Sequence, residues 1–250
     1  MGGGTRRPGM DDTPFRTTEG VAVPAVTAAE MRTVDRLAEE LGLGVVMMME
    51  NAGRTLARLV GERTDGEVVV YAGGGGNGGG GLACARHLTN HGHDVHVVLD
   101  RPADRMSGAA GRQLAILREM GLPIVVGADS SVRADGGSVA IDAVIGYGLE
   151  SAVREPARGL VAAMNDGSET VISLDVPTGL DATTGNAPGA VVASDAILTP
   201  ALPKTGLATV DGTLYLADIG IPGVVFERAD LPVVTPFRGT AMCELASIDA

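Results

Sequence analysis

The sequence predicts a doubly wound, Rossmann-like α/β domain: a mostly parallel sheet with helices on both faces. Three observations carry that expectation. Short apolar runs rich in β-branched residues recur along the chain, stretches of helical periodicity alternate with them, and a glycine-rich segment follows one run directly.

The elements follow in order. Thr27 and Glu30 have capping-box spacing, and Met31, Val34, Leu37, Ala38 and Leu41 continue at helical intervals. A second helix is predicted over Met47 to Val60. Val68 to Ala72 is too short and too β-branched for a helix and reads as a buried strand. The glycine loop, Gly73 to Gly81, leads into a helix from about Leu82 to Asn90. Strands are then expected over Val95 to Leu99, Ile124 to Val126, Val139 to Ile145, Val171 to Leu174, Ala196 to Leu198 and Leu214 to Leu216. Helices are expected over Ala109 to Met120 and Pro156 to Asn165. Residues 21–229 form one domain on this reading. Residues 1–20 are a flexible leader in which Met10 offers an internal start, and 230–250 a peripheral tail.

Composition narrows the function. The chain has 31 acidic and 19 basic residues, a net charge of −12, and 2% aromatics. A basic surface and base-stacking aromatics are both missing, so nucleic acid and anionic membranes are poor partners. No apolar run reaches the roughly 18 residues of a membrane span, and a cytoplasmic location is the default. Lys204 is the only lysine, and the acidic, lysine-poor composition suits a salt-rich cytoplasm. Cys84 and Cys243 are too few for a disulfide framework, and Cys84 reads as a small buried hydrophobe.

Glycines between a strand and a helix permit positive φ and close approach of a ligand, and the helix N-terminus beyond them favours phosphate. Asp100, at the end of the next strand, stands where a ribose-binding acid belongs in a dehydrogenase; as a solvated turn residue before Pro102 it has a simpler explanation.

Four segments, in order, resemble the NAD(P)H-hydrate epimerase family, the YjeF N-terminal domain. Met49-Glu50-Asn51-Ala52-Gly53-Arg54 is similar to its M-E-N-A-G. Gly76 to Leu88 resembles N-N-G-G-D-G-L-x-x-A-R-H-L, and Asp142 to Leu149 resembles D-A-L-F-G-T-G-L. Asp175-Val176-Pro177-Thr178-Gly179-Leu180-Asp181 is similar to D-I-P-S-G-L-D, with weaker matches at 203–207 and 217–222. The resemblance implies interconversion of the R and S forms of hydrated NADH and NADPH, a repair reaction. It implies Asp175 as the catalytic residue. Substrate contacts would come from Gly76, Asn77, Gly78, Gly79, Gly80, Gly146, Tyr147, Gly148, Leu149, Glu150, Ser151, Ala152, Asp175 and Lys204. Asn77, Asp142 and Thr178 would bind a potassium ion, and Asn51 and Arg54 would brace the glycine loop. A homodimer is the expected assembly, with a separate dehydratase as pathway partner, since a fused dehydratase domain is missing from the chain.

Gly76 and Gly80 stand where the family pattern has Asn and Asp. Loss of that carboxylate points to an impaired or altered epimerase if it shares the proton chemistry. The alternatives are a non-catalytic nucleotide- or partner-binding module of the same fold, and an NAD-dependent oxidoreductase using Asp100. The oxidoreductase lacks a Tyr-x-x-x-Lys pair, because Lys204 is the only lysine.

Overall fold

The computed structural model describes residues 13–127 and 138–247. Ten strands form one sheet: β1 Phe15–Thr17, β2 Ala22–Val23, β3 Val68–Ala72, β4 Val95–Leu99, β5 Ile124–Val126, β6 Val139–Ala143, β7 Thr170–Leu174, β8 Ala196–Pro200, β9 Thr213–Ala217 and β10 Met242–Ser247. The helices are α1 Ala28–Glu40, α2 Val45–Gly61, α3 Gly76–Asn90, α4 Gly108–Glu119, α5 Ala157–Gly167 and α6 Gly223–Arg228. The strand order is β2-β1-β10-β9-β8-β7-β6-β3-β4-β5. From β9 to β5 every neighbouring pair is parallel, and β10, β1 and β2 add an antiparallel edge.

Alternation along the central strands divides the interior. Val68, Val70 and Ala72 of β3 join the core shared with α1 to α4, while Val69 and Tyr71 join the one built on Leu160, Val161 and Met164 of α5. The predicted two-faced sheet is therefore present. The strand order reverses between β3 and β6, and the crevice beyond the carboxyl ends of these strands is where such folds bind ligands.

Two parts of the predicted organisation change. Residues 15–17, assigned to the leader, pair with β10, and 242–247, assigned to the tail, pair with β9. Neither segment has the long apolar run that marks the central strands, because each lies on or near a sheet edge with weaker burial demands. The remainder of the leader, residues 1–12, lies outside the described residues.

The glycine segment also differs. Helix α3 begins at Gly76, so Gly76 to Gly81 are helical, and none of Gly73 to Gly81 has positive φ. Their service is close packing. A Cβ on Gly81 would lie 2.4 Å from Ala143 Cβ, one on Gly79 2.3 Å from Met49 Sδ, and one on Gly78 1.7 Å from Gly73 O. From the facing helix, a Cβ on Gly53 would lie 2.6 Å from Ala83 Cβ and 2.7 Å from Gly80 O. The backbones of α2 and α3 approach until side chains no longer fit.

Substitutions separate packing from flexibility. Gly81→Ala is expected to lower stability by about 1–3 kcal/mol through overpacking. Gly76→Ala, with nothing within 4 Å of its Cβ position, is expected to be neutral or to stabilise by up to about 1 kcal/mol by restraining the unfolded chain. Urea denaturation of both variants checks this; equal losses would remove the packing explanation.

Candidate active site

A cavity of about 520 Å³ opens at the strand-order reversal, walled by one face of α1, by the starts of α2 and α3 and by the ends of β6, β7 and β8. Its chemistry is set by what happens where β7 and β8 end. The N–H of Val176 donates to Leu174 O at 3.0 Å across Asp175, whose φ is 71°. The N–H of Leu202 donates to Pro200 O at 2.8 Å across Ala201, whose φ is 65°. Both are γ-turns of the positive-φ form, which is rare and strained. Two such turns at the ends of adjacent strands swing the chain out of the sheet at the cavity floor, and strain of this kind collects at functional sites.

The first turn presents Asp175 and the second leads to Lys204. Lys204 Nζ lies 2.6 Å from Asp175 Oδ1, with the lysine 0% and the aspartate 5% exposed. Among the described residues the ammonium is the one partner of Oδ1. Oδ2 accepts from the N–H of Tyr147 at 2.6 Å. Lys204 Nζ donates to Thr199 Oγ1 at 3.3 Å and Pro200 O at 3.1 Å, and sits 5.6 Å from the centre of the Tyr147 ring. The segment before α1 clamps this lysine: Val26 N–H donates to Pro203 O at 2.9 Å, and Thr205 N–H to Val26 O at 3.0 Å. Gly146 has to be glycine, since a Cβ there would be 2.3 Å from Asp175 Oδ2 and 3.2 Å from Asn77 Cγ.

Beneath this floor lies a second carboxylate. Asp142, fully buried on β6, accepts from Thr178 Oγ1 at 2.6 Å and Val144 N–H at 3.2 Å on Oδ1. Its Oδ2 accepts from Thr178 N–H at 2.7 Å and Ser173 Oγ at 2.8 Å. Burial pushes the Asp142 carboxyl above its ordinary range, while these donors pull it back. Thr178 Oγ1 also accepts from Ile145 N–H at 2.9 Å and has a second acceptor, Ile145 O, at 3.1 Å. Asn77, in the first turn of α3, has a buried Nδ2 without a hydrogen-bond partner.

The residues singled out in the sequence are thus only partly gathered. Gly76, Asn77, Gly80, Gly146, Tyr147, Gly148, Asp175 and Lys204 line the cavity. Gly78 and Gly79 face packing partners instead, and Leu149, Glu150, Ser151 and Ala152 lie away from the wall. Asn51 does not brace the glycine segment: its Nδ2 donates to Ile219 O at 3.0 Å, and Arg54 Nη2 donates to Asn51 Oδ1 at 3.5 Å. Asp100 is buried rather than solvated, and Arg101 grips both its oxygens at 2.7 and 2.8 Å. Those contacts occupy the carboxylate a ribose would need. Cys84 is buried, as expected of a small core residue.

Sequence reasoning missed Asp35 and Arg101. Asp35, on α1, lines the cavity and accepts a hydrogen bond from the Tyr147 hydroxyl. Its signal was an acidic residue four positions after Met31 and three before Ala38, on the buried stripe of α1. Arg101 covers Gly74, where a Cβ would meet its guanidinium at 2.7 Å.

Residues 45–206 match the family model described as YjeF-related protein N-terminus. The chain belongs to this family. Among relatives of this YjeF-related chain, an NAD(P)H-hydrate epimerase of Dehalogenimonas lykanthroporepellens is 45% identical over 225 residues, covering 87% of this chain and 90% of the relative. A second NAD(P)H-hydrate epimerase, from Truepera radiovictrix, is 39% identical over 84% of this chain and 97% of its own length. A bifunctional NAD(P)H-hydrate repair enzyme of Salinibacter ruber is 39% identical, and the match spans 43% of that longer protein. The crystal structure of yeast YNL200c superposes with a TM-score of 0.75 at 21% identity, covering 90% of this chain and all of the yeast chain, and supports the YjeF-related fold.

The ion pair makes a stability test. Removing one partner of a buried pair strands the other charge, at a cost of about 3–5 kcal/mol. Asp175→Asn should therefore lower the melting temperature clearly, and adding Lys204→Met to it should recover a large part of the loss. Additive losses in the double variant, measured by thermal unfolding, would show that the two charges are not coupled.

Proposed function

We propose that the chain epimerises hydrated NADH and NADPH, the substrates named in its relatives of similar length. The observation that carries this reading is Asp175. It is a carboxylate held on the cavity wall by a strained turn and a buried ion pair, with one oxygen on the Tyr147 N–H and the other against the ammonium. Hydration places a hydroxyl on C6 of the nicotinamide ring. The neighbouring ring nitrogen can expel it as an iminium cation, and water can return to either face. Asp175 would stabilise that cation electrostatically, and Lys204 would hold the carboxylate in position. Gly76, Asn77, Gly80 and Gly146 to Gly148 supply an open backbone surface against which the nucleotide can lie closely. The runner-up, a non-catalytic binding module, gives no reason for a strained, buried Asp–Lys pair at a ligand cavity.

The test is conversion of separated R and S epimers, followed by chromatography with and without protein. Acceleration is expected, and Asp175→Asn should reduce it about 10²-fold or more, the scale of one positioned electrostatic group. No acceleration by the wild-type chain would favour the binding module.

A potassium ion belongs to the same proposal. The donors suit a hard monovalent cation, being the carboxylate of Asp142, the hydroxyl of Thr178 and the amide of Asn77. All four lone-pair positions of Asp142 are taken by protein donors, but the Thr178 hydroxyl can turn its proton to Ile145 O. That turn frees one lone pair on Asp142 and leaves one on Thr178. When bound, the ion would supply positive charge against the buried Asp142. Potassium is expected to raise the melting temperature above that in equimolar tetramethylammonium, and Thr178→Val should abolish the difference. Equal melting temperatures in the two salts would sink the site.

A homodimer is the proposed assembly, supported by the apolar Val45, Val46 and Met47, 36–56% exposed at the start of α2. A cytoplasmic setting is proposed from the substrate, an intracellular nucleotide; no described helix is long and apolar enough to cross a membrane.

A further inference from the structure

The proposed chemistry needs more than Asp175 provides. Expelling the C6 hydroxyl requires a proton on the departing oxygen, and returning water must lose one. Asp175 sits 2.6 Å from the Lys204 ammonium, and in the proposed chemistry it is already committed, as a carboxylate, to the ring cation. The ammonium is itself committed to Asp175, Thr199 and Pro200. Gly80 has no carboxyl to offer, and a Cβ there would lie 2.7 Å from Leu174 Cδ2.

Another carboxyl does line the cavity. Asp35 reaches it from α1, on a different element from Asp175, and Tyr147 joins the two. The Tyr147 hydroxyl donates to Asp35 Oδ2, while the Tyr147 N–H donates to Asp175 Oδ2 at 2.6 Å. Tyr147 is further fixed by Lys204 Nζ, 5.6 Å from its ring centre, and by the Arg32 guanidinium at 5.9 Å. Unlike Asp175, Asp35 forms no ion pair among the described residues. We propose that Asp35 is the second catalytic residue of this site, giving its proton to the departing C6 hydroxyl and recovering one from the returning water, with Tyr147 as its positioning residue.

This rests on the epimerase reading and adds the proton carrier to it. In the forward step the C6–O bond breaks, its electron pair leaves with the oxygen, and the Asp35 proton converts it to water. The ring-nitrogen lone pair forms the N–C6 double bond. In the return step a water oxygen bonds C6 from either face, the π pair goes back to nitrogen, and the surplus proton passes to the Asp35 carboxylate. Nothing is oxidised or reduced.

Two environments fit the two roles. Burial raises the Asp35 carboxyl from its ordinary value, with the nearby negative charges of Asp175 and Glu39 adding to the rise; the Tyr147 hydroxyl and the Lys204 charge oppose it. Burial and the Asp35 neighbour push the Tyr147 phenol far upward, so it donates a hydrogen bond without surrendering its proton near neutral pH.

The test is kcat and KM for each epimer from pH 5 to 9 in the wild type, Asp35→Asn, Asp35→Glu and Tyr147→Phe. Because the acid form starts the reaction, the wild-type rate should fall as pH rises through the Asp35 pKa. Asp35→Asn should lose about 10²-fold in kcat, little in KM, and the pH limb itself. Asp35→Glu should keep the limb at reduced rate. Tyr147→Phe removes a donor that favours the carboxylate, so it should move the limb to higher pH. That shift decides the matter even where Asp35→Asn folds poorly. An active wild type whose Asp35→Asn variant keeps its kcat and pH limb, or whose limb is unmoved in Tyr147→Phe, overturns the assignment and leaves the epimerase reading standing. An inactive wild type overturns both.

Discussion

The ion pair between Lys204 and Asp175 is the constraint on which the carboxyl edge of the sheet depends. Taking two charges out of water costs several kcal/mol each, and their attraction repays this only if both are held firmly. The surroundings supply that hold from four directions. A γ-turn fixes Asp175, a second γ-turn starts the segment leading to Lys204, the Tyr147 N–H binds the carboxylate, and Val26 bridges the lysine backbone. The Val26 clamp explains why the chain ahead of α1 belongs to the site. The capping box of Thr27 and Glu30, with the Ala28 N–H donating to Thr183 Oγ1 at 3.0 Å, then sets where α1 begins. Asp35 is carried to the cavity by that helix. One short segment therefore positions both a cation and a carboxyl.

Close glycine packing makes the room. The approach of α2 to α3 and of α3 to β6 lets the first turn of α3 sit at the crevice with its amide groups toward the ligand side. Gly146 plays the matching part from the loop after β6, since any side chain there would strike Asp175. Most of the glycine run is thus structural, and the positions that also face the cavity are those where the packing leaves space.

How much of this could be read from the chain follows from what each signal measures. The central strands were legible because burial on both faces demands uninterrupted Val and Ile, as in Val68 to Tyr71. Strands β1, β2 and β10 were not, because they form the antiparallel margin of the sheet, where the demand for burial is weaker and no long apolar run marks them. The glycines marked the right place but suggested the wrong conformation: composition cannot tell a φ requirement from a packing requirement. Asp175 and Lys204 were both picked out, the lysine by being the only one. Their contact was not, since it depends on two positive-φ residues, Asp175 and Ala201, that carry no glycine signature. Asp35 escaped because an acid on an apolar stripe is visible only once the partner across the cavity is known.

The charges around the cavity finally bear on what it can hold. Asp35 and Asp175 face it from two walls, with Asp142 beneath, and the buried Lys204 offsets one of the three. Once Asp35 has given up its proton the inner end is therefore net acidic, which favours the ring as it becomes cationic and disfavours phosphate. Arg101 also lines the cavity, over Gly74 next to the N-terminus of α3, and brings positive charge to the α3 side. A dinucleotide placed with its nicotinamide ring inward and its phosphates toward Arg101 matches this polarity, and the reverse orientation opposes it at both ends. Asp100 gains its meaning in the same arrangement. By gripping Arg101 with both oxygens it gives up the ribose-binding role of a dehydrogenase acid and instead fixes the guanidinium beside the glycine turn. The acid at the end of β4 thus orients the cation beside the glycine turn and has both its oxygens occupied in doing so.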